Sequence, residues 1–229
     1  MKILELGLKA QNLTGQRAFY ADLLGLPLIE ETSTHLTLQA GATRLHFSAG
    51  RGHEGIYHFA FNIAENKLTE AKAWLGARLQ LLEHEGQNRF TASASWNAEM
   101  VYFYDADGNI VEFIARHDLP TASPKAFGPE HILGVSEIGY VVPKVKTTVE
   151  RLTGQLGLEL YGESHPEFAP LGNAEGLFIV VKEGRPWFPT TTAATVLPLE
   201  VTLAQSQTSH YSEPDLPYHI VGLSNSGSE

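Results

Sequence analysis

Along residues 3–10 (ILELGLKA) apolar and polar positions alternate, with Leu4, Leu6 and Leu8 on one face and Glu5, Gly7 and Lys9 on the other. That period of two predicts a half-buried strand. A helix follows. Asn12 or Thr14 can cap it, Ala18, Phe19, Leu23 and Leu24 form its apolar side, and Gly25 suits a left-handed stop that Pro27 makes final. Short strands are predicted near 27–31, 35–40 and 43–48, the last entered through a tight turn at Ala40-Gly41. In that strand Leu45 and Phe47 share one face, while Arg44, His46 and Ser48 share the other.

The order strand, helix, three strands then begins again, so that residues 3–48 and 57–115 read as two copies of one unit. Residues 56–63 (IYHFAFNI) put Tyr57, Phe59, Phe61 and Ile63 on one face and His58, Ala60 and Asn62 on the other. A helix over about 66–79 carries Leu68, Ala71, Leu75 and Leu79. Residues 84–98 are polar and small without a period, which predicts a mobile loop beside a site. Strands 99–104 and 109–115 meet through Asp105-Ala106-Asp107-Gly108-Asn109, a hairpin signal. The second of them places Val111, Phe113 and Ala115 opposite Ile110, Glu112 and Ile114.

Residues 118–130 are rich in Pro and small polar residues and read as a linker. A third unit follows: a strand at 135–142, a helix over 144–156 ending at Gly157-Leu158, and strands near 158–163, 177–183 and 196–204. The phrases LLGLPL (23–28) and QLGLEL (155–160) occupy the same helix-to-strand junction. One more strand is predicted at 218–223, with a frayed end from Ser224. The predicted organisation is a complete two-module domain over 1–117, the linker, and a third module plus a shortened fourth over 131–229. A curved sheet lacking a full intrachain mate would be covered most simply by a twofold partner, so a homodimer is expected. The alternative is that residues 131–229 fold back on 1–117 within one chain.

Charge and composition narrow the function. A net charge of −10 without a Lys/Arg cluster argues against nucleic acid and anionic membrane surfaces. No apolar run approaches the roughly 20 residues of a membrane span. The absence of cysteine excludes disulfides and thiolate ligands and gives no support to an extracellular setting. A cytoplasmic protein with a small-molecule partner is the expectation.

On four strands a single His or Glu interrupts its face: Glu5, His46, His58 and Glu112. Converging in one cup, such nitrogen and oxygen donors suit a catalytic divalent metal. A metal would also stabilise carboxylates that are costly to bury alone. Arg44, Asn62 and Tyr102 are the polar residues available to orient a substrate. In the third unit Glu137 matches Glu5 and Glu200 matches His58, with His219 as a possible third member.

FYADLLGLPL after the first strand, YHFAFNI in mid-domain and YFYDADGNIVEFI at its end resemble the vicinal oxygen chelate superfamily. That group includes glyoxalase I, bleomycin-resistance proteins, fosfomycin-resistance enzymes and extradiol dioxygenases. The resemblance covers residues 1–117 well and 131–204 loosely. It implies an α+β fold of paired βαβββ modules, whose curved mixed sheets surround a metal-containing cup. It also implies ligands on the first and last strands of the modules: Glu5 where His or Gln is frequent, His58 where His is usual, and Glu112 where Glu is usual. His46 holds a position that supplies a Glu in some glyoxalase I enzymes. The implied function is a metal-dependent lyase or isomerase acting on a small oxygenated substrate, with Glu5 or Glu112 as the proton-shuttling base. The ion would be Zn²⁺, Ni²⁺, Mn²⁺, Co²⁺ or Fe²⁺. An extradiol ring-cleaving dioxygenase and a metal-free drug-binding resistance protein are the alternatives.

Overall fold

A computed structural model describes residues 1–50 and 55–224; residues 225–229 of the expected frayed end lie outside the described residues. The first unit comprises β1 (Lys2–Ala10), α1 (Leu13–Arg17) running into a π-helical segment (Ala18–Leu23), β2 (Leu28–Glu31), β3 (His35–Ala40) and β4 (Thr43–Ala49). The second comprises β5 (His58–Ile63), α2 (Leu68–Gly76), β6 (Phe90–Thr91), β7 (Ala98–Tyr104) and β8 (Ile110–Arg116). The third contains β9 (Ile132–Val142), α3 (Val145–Leu156), β10 (Phe168–Asn173) and β11 (Gly176–Lys182). Among the described residues the fourth comprises β12 (Leu199–Gln205), β13 (Ser209–Ser212) and β14 (Tyr218–Ser224).

Local chemistry sets several of these boundaries. Asn12 caps α1 by accepting the Gly15 N–H, and Gly25 takes the left-handed φ of 72° at the end of the π-helical segment. The Asp105 carboxylate receives the backbone N–H groups of Asp107 and Asn109, which closes the β7–β8 turn. It also receives the Tyr20 hydroxyl and the Gln16 amide, tying that turn to the first helix.

Among the described residues the strands form two sheets of seven. One, here called sheet A, has the order β13-β14-β12-β1-β4-β3-β2; sheet B has the order β10-β11-β9-β5-β8-β7-β6. Sheet A therefore joins the first unit to the fourth, through antiparallel β1 and β12. Sheet B joins the second to the third, through antiparallel β5 and β9. Residues 131–224 fold back on the first half, and the homodimer expectation loses the unpaired sheet that motivated it.

The main core lies between the sheets, where Tyr20 stacks on Phe47 of sheet A and Phe59 of sheet B. Sheet A keeps its other face partly wet, as the alternating burial along β1 and β4 shows. Sheet B buries both faces, and every residue of β5 and β8 is buried. Its second face carries Ala60, Met100, Ile114 and Ile179 beneath Trp187 and Ala194 of the segment after β11.

Three strands depart from expectation. β6 lies inside the predicted loop, paired with Glu99 and Met100, and Arg89 grips Glu99 at 2.7–2.9 Å. β10 (FAPLGN) carries Pro, Gly and Asn, residues that argue against a strand, yet it pairs along its length with β11. Residues 158–163 form no strand; Leu160 makes only an isolated bridge to Leu171. Among the described residues, no helix is long and apolar enough to cross a membrane.

Candidate metal centre

Sheet pairing brings three ligating side chains to the second face of sheet B. Ala60 on β5 has Glu112 of β8 on one side and Glu137 of β9 on the other, and His58 stands two residues before it. Ligating atoms of His58, Glu112 and Glu137 all lie within 4.8 Å of one another. All three residues are buried: His58 is 6% exposed, Glu112 2% and Glu137 3%.

The imidazole is oriented. His58 Nδ1 lies 3.2 Å from the Ile110 carbonyl, which can only accept, so Nδ1 carries the proton and Nε2 presents its lone pair. Nε2 faces Glu112 Oε2 at 3.7 Å. Burial pushes His58 down to about 4, against the opposing pull of the Ile110 carbonyl. At neutral pH His58 therefore presents a lone pair to the Glu112 carboxyl group, an arrangement that needs a proton or a cation between them.

The carboxylates respond to the same dryness. Burial, then repulsion from Glu137, drives Glu112 well above the usual carboxylate range, although Arg116 and the Tyr102 hydroxyl oppose the shift. Burial also raises Glu137 to about 6, with Arg116 pulling the other way. Arg116 donates to Glu137 through Nη2 and is itself 1% exposed. Aromatic rings close the cup: Trp187 lies 4.9 Å from the His58 ring, and Phe188 packs on Phe90 and Tyr102. Trp96 and Tyr161 cover the Arg116 guanidinium.

Of the residues singled out from sequence, His58, Glu112 and Tyr102 meet here. Glu5, His46 and Arg44 do not; they lie on sheet A. Glu5 accepts from Arg44 at 3.4 Å and from Thr202 at 3.3 Å, and His46 bonds Thr37 at 2.9 Å. Asn62 shares the face of His58 but donates to the Ala174 carbonyl and lines a separate cavity of about 240 Å³ with Ile3, Thr43 and Leu133.

Sheet A repeats the pattern of sheet B. Gly7 on β1 has His46 of β4 on one side and Glu200 of β12 on the other, and Glu5 stands two residues before it. The four sequence-selected donors thus belong to two cups, two in each, and the third members, Glu137 and Glu200, come from the second half of the chain. Glu137 was legible as the lone charge in the apolar strand ILGVSEIGYVV. Arg116 carried little signal, since a charge closing a strand reads as a solvated end.

The donor set of cup B fits a divalent ion of the borderline class: one neutral imidazole and two carboxylates on rigid strands, with its tautomer and one carboxylate held by further hydrogen bonds.

No family model matches the sequence, and no curated protein matches it. Solved structures do match. Glyoxalase I from Zea mays aligns over 98% of this chain and 92% of its own, at 13% identity and a TM-score of 0.57. Lactoylglutathione lyase from Agrobacterium tumefaciens aligns over 49% of this chain and 91% of its own, at 22% identity and a TM-score of 0.42. A glyoxalase/dioxygenase from Nostoc punctiforme covers 50% of this chain and 90% of its own, at 20% identity and a TM-score of 0.39. The near full-length match to the maize enzyme shows that this chain has the glyoxalase-like βαβββ fold.

Proposed function

We propose that the protein is a metal-dependent enzyme of glyoxalase type, a lyase or isomerase whose centre is His58, Glu112 and Glu137. The observation that carries this reading is the buried meeting of the His58 Nε2 lone pair and the Glu112 carboxyl group, 3.7 Å apart with Glu137 beside them. A divalent ion held there supplies Lewis-acid polarisation of substrate oxygens. The chain's own groups do the rest. The Ile110 carbonyl fixes the imidazole, and the Tyr102 hydroxyl steadies the Glu112 carboxylate. Glu112, whose affinity for a proton is raised by burial, accepts and returns a substrate proton at its carboxylate oxygen. Glu5, the other base suggested by the resemblance, lies on the far sheet. The aromatic cover keeps bulk water from a reactive intermediate.

The extradiol reading calls for two histidines and one carboxylate, whereas cup B offers one and two. A metal-free binding protein is supported by one feature, the Arg116–Glu137 ion pair, which neutralises a carboxylate without an ion. Elemental analysis of the purified protein, with calorimetric metal titration of the wild type and of Glu112→Gln and His58→Ala, separates the readings. Metal affinity should fall at least 10–100-fold in each variant. Unchanged metal content in both would overturn the assignment.

A further inference from the structure

Cup B has its donors but little room beside them. The void that touches His58 measures about 10 Å³, enough for one water molecule. Trp187 takes up the space between His58 and Gly139. Its ring lies 4.9 Å from the His58 ring, and its far edge rests on Gly139, where a Cβ would approach within 2.7 Å. Gly139 stands two residues beyond Glu137 on β9, so the indole sits over the donors themselves. Trp187 is buried, yet its Nε1 has no acceptor among the described residues.

Trp187 belongs to a hairpin, residues 184–194, that is bonded to itself. Gly184 N–H donates to the Ala194 carbonyl, Ala194 N–H to that of Arg185, and Trp187 N–H to that of Thr192. Among the described residues, no hydrogen bond or ion pair joins residues 186–194 to either sheet. Ring packing holds the hairpin down: Phe188 lies 4.9 Å from Phe90 and 5.6 Å from Tyr102, and is still 42% exposed. The neighbouring part of the cover is fastened, since β6 pairs with β7 and Arg89 grips Glu99. A segment held by side-chain packing alone opens at lower free energy than the strands beneath it. Gly184, at φ 84° with open space around it, supplies a pivot at the near end.

We infer that residues 184–194 are a gate over cup B, with Trp187 as its plug. The hairpin swings out as a unit and uncovers His58, Glu112 and Glu137. What the gate admits rests on the metal-centre reading above; that it opens does not.

The chain has no cysteine, so a single introduced thiol reports the opening. Ala60→Cys and Ile179→Cys each place one on the cup face of sheet B, under the hairpin. Ala115→Cys places one on the opposite face of β8, in the core between the sheets. Each full-length variant is labelled with iodoacetamide under native conditions. The cup thiols should react at least about 10-fold faster than that of Ala115→Cys, which waits for global unfolding. Trp187→Ala should widen this ratio by at least about 10-fold; Ala115→Cys in the same background corrects for any general loss of stability. Either cup position suffices where the other fails to fold. Equal rates at cup and core, or a ratio that Trp187→Ala leaves unchanged, would overturn the gate. Zn²⁺ bound by the wild-type chain while cup and core react equally removes the gate and leaves the metal centre standing. Faster labelling of the cup in a chain that binds no Zn²⁺ does the reverse.

Discussion

Cup A and cup B each place one His and two Glu at the same three register positions, with the His and one Glu exchanged between strands. Gly7 sits between His46 and Glu200 with Glu5 two places before it; Ala60 sits between Glu112 and Glu137 with His58 two places before it. Their surroundings differ. In cup B an aromatic cover buries the donors, and in cup A β4 alternates between buried and exposed residues. Glu5 there meets a guanidinium whose side chain is 59% exposed, while the guanidinium paired with Glu137 is fully enclosed. One His and two Glu at matching positions do not by themselves make a metal centre. Removal of water turns them into groups that must share a proton or a cation.

The buried ion pair gives the largest expected contrast. Arg116→Met should destabilise the protein by about 3–5 kcal/mol in urea unfolding, because it leaves Glu137 enclosed and unpaired. Adding Glu137→Gln should recover much of that loss; a single variant as stable as wild type would show that the cup is wetter than its geometry indicates.

Acidification gives the next effect. An unfolded imidazole titrates near 6.5, whereas folded His58 stays neutral down to about 4. Between those values the unfolded chain binds a proton that the native state refuses, so this contribution to stability is present above 6.5 and is lost as pH falls towards 4. The full loss is on the order of 3 kcal/mol. Glu137, raised to about 6, acts with the opposite sign, stabilising below about 4.5 and losing that contribution as pH rises through 6. The His58 ring signals in an NMR titration isolate its part. A midpoint near 6.5 would contradict the buried, neutral imidazole.

Metal affinity should separate the cups by a factor of about 10–100. Glu112→Gln and His58→Ala should lose that much, and the matched pair Glu5→Gln and His46→Ala should lose nothing. A larger loss in the sheet A pair would transfer the centre to cup A. The smallest effect concerns the open pair itself: Arg44→Ala should cost less than about 1 kcal/mol by thermal or urea unfolding, as solvated ion pairs do.

Much of the fold was legible because strand and helix periods are local. The alternation from Glu5 to Ala10, the Gly25 and Gly157 stops and the DADGN turn lie where the sequence puts them. A register shift between Ile3 and Glu5 buries Ile3 in place of Leu4. Pairing between units was not legible, since β5 uses the same alternating face whether its neighbour is β1 or β9. Selecting Glu5 and His46 with His58 and Glu112 followed from that gap: their faces were read correctly, but not the sheets they belong to. Tyr102, singled out from sequence as a polar residue able to orient a substrate, stands directly across from Glu112. The cover was hidden because Trp96, Tyr161 and Trp187 sit in aperiodic segments that tertiary packing alone draws over the cup.

The pairing of β1 with β12, in which Leu6 lies against Val201, also dictates a timetable. Sheet B takes its strands from residues 58–182, so a chain emerging from the ribosome has everything the inner sheet requires before β12 has been made. Until then β1 waits with one open edge, exposed to pairing with the wrong chain. The last strands act as a clasp: a stall or nick ahead of Leu199 leaves the inner sheet with all of its strands and β1 without its neighbour. Closing that distant contact is the entropically slow event in a topology of this kind.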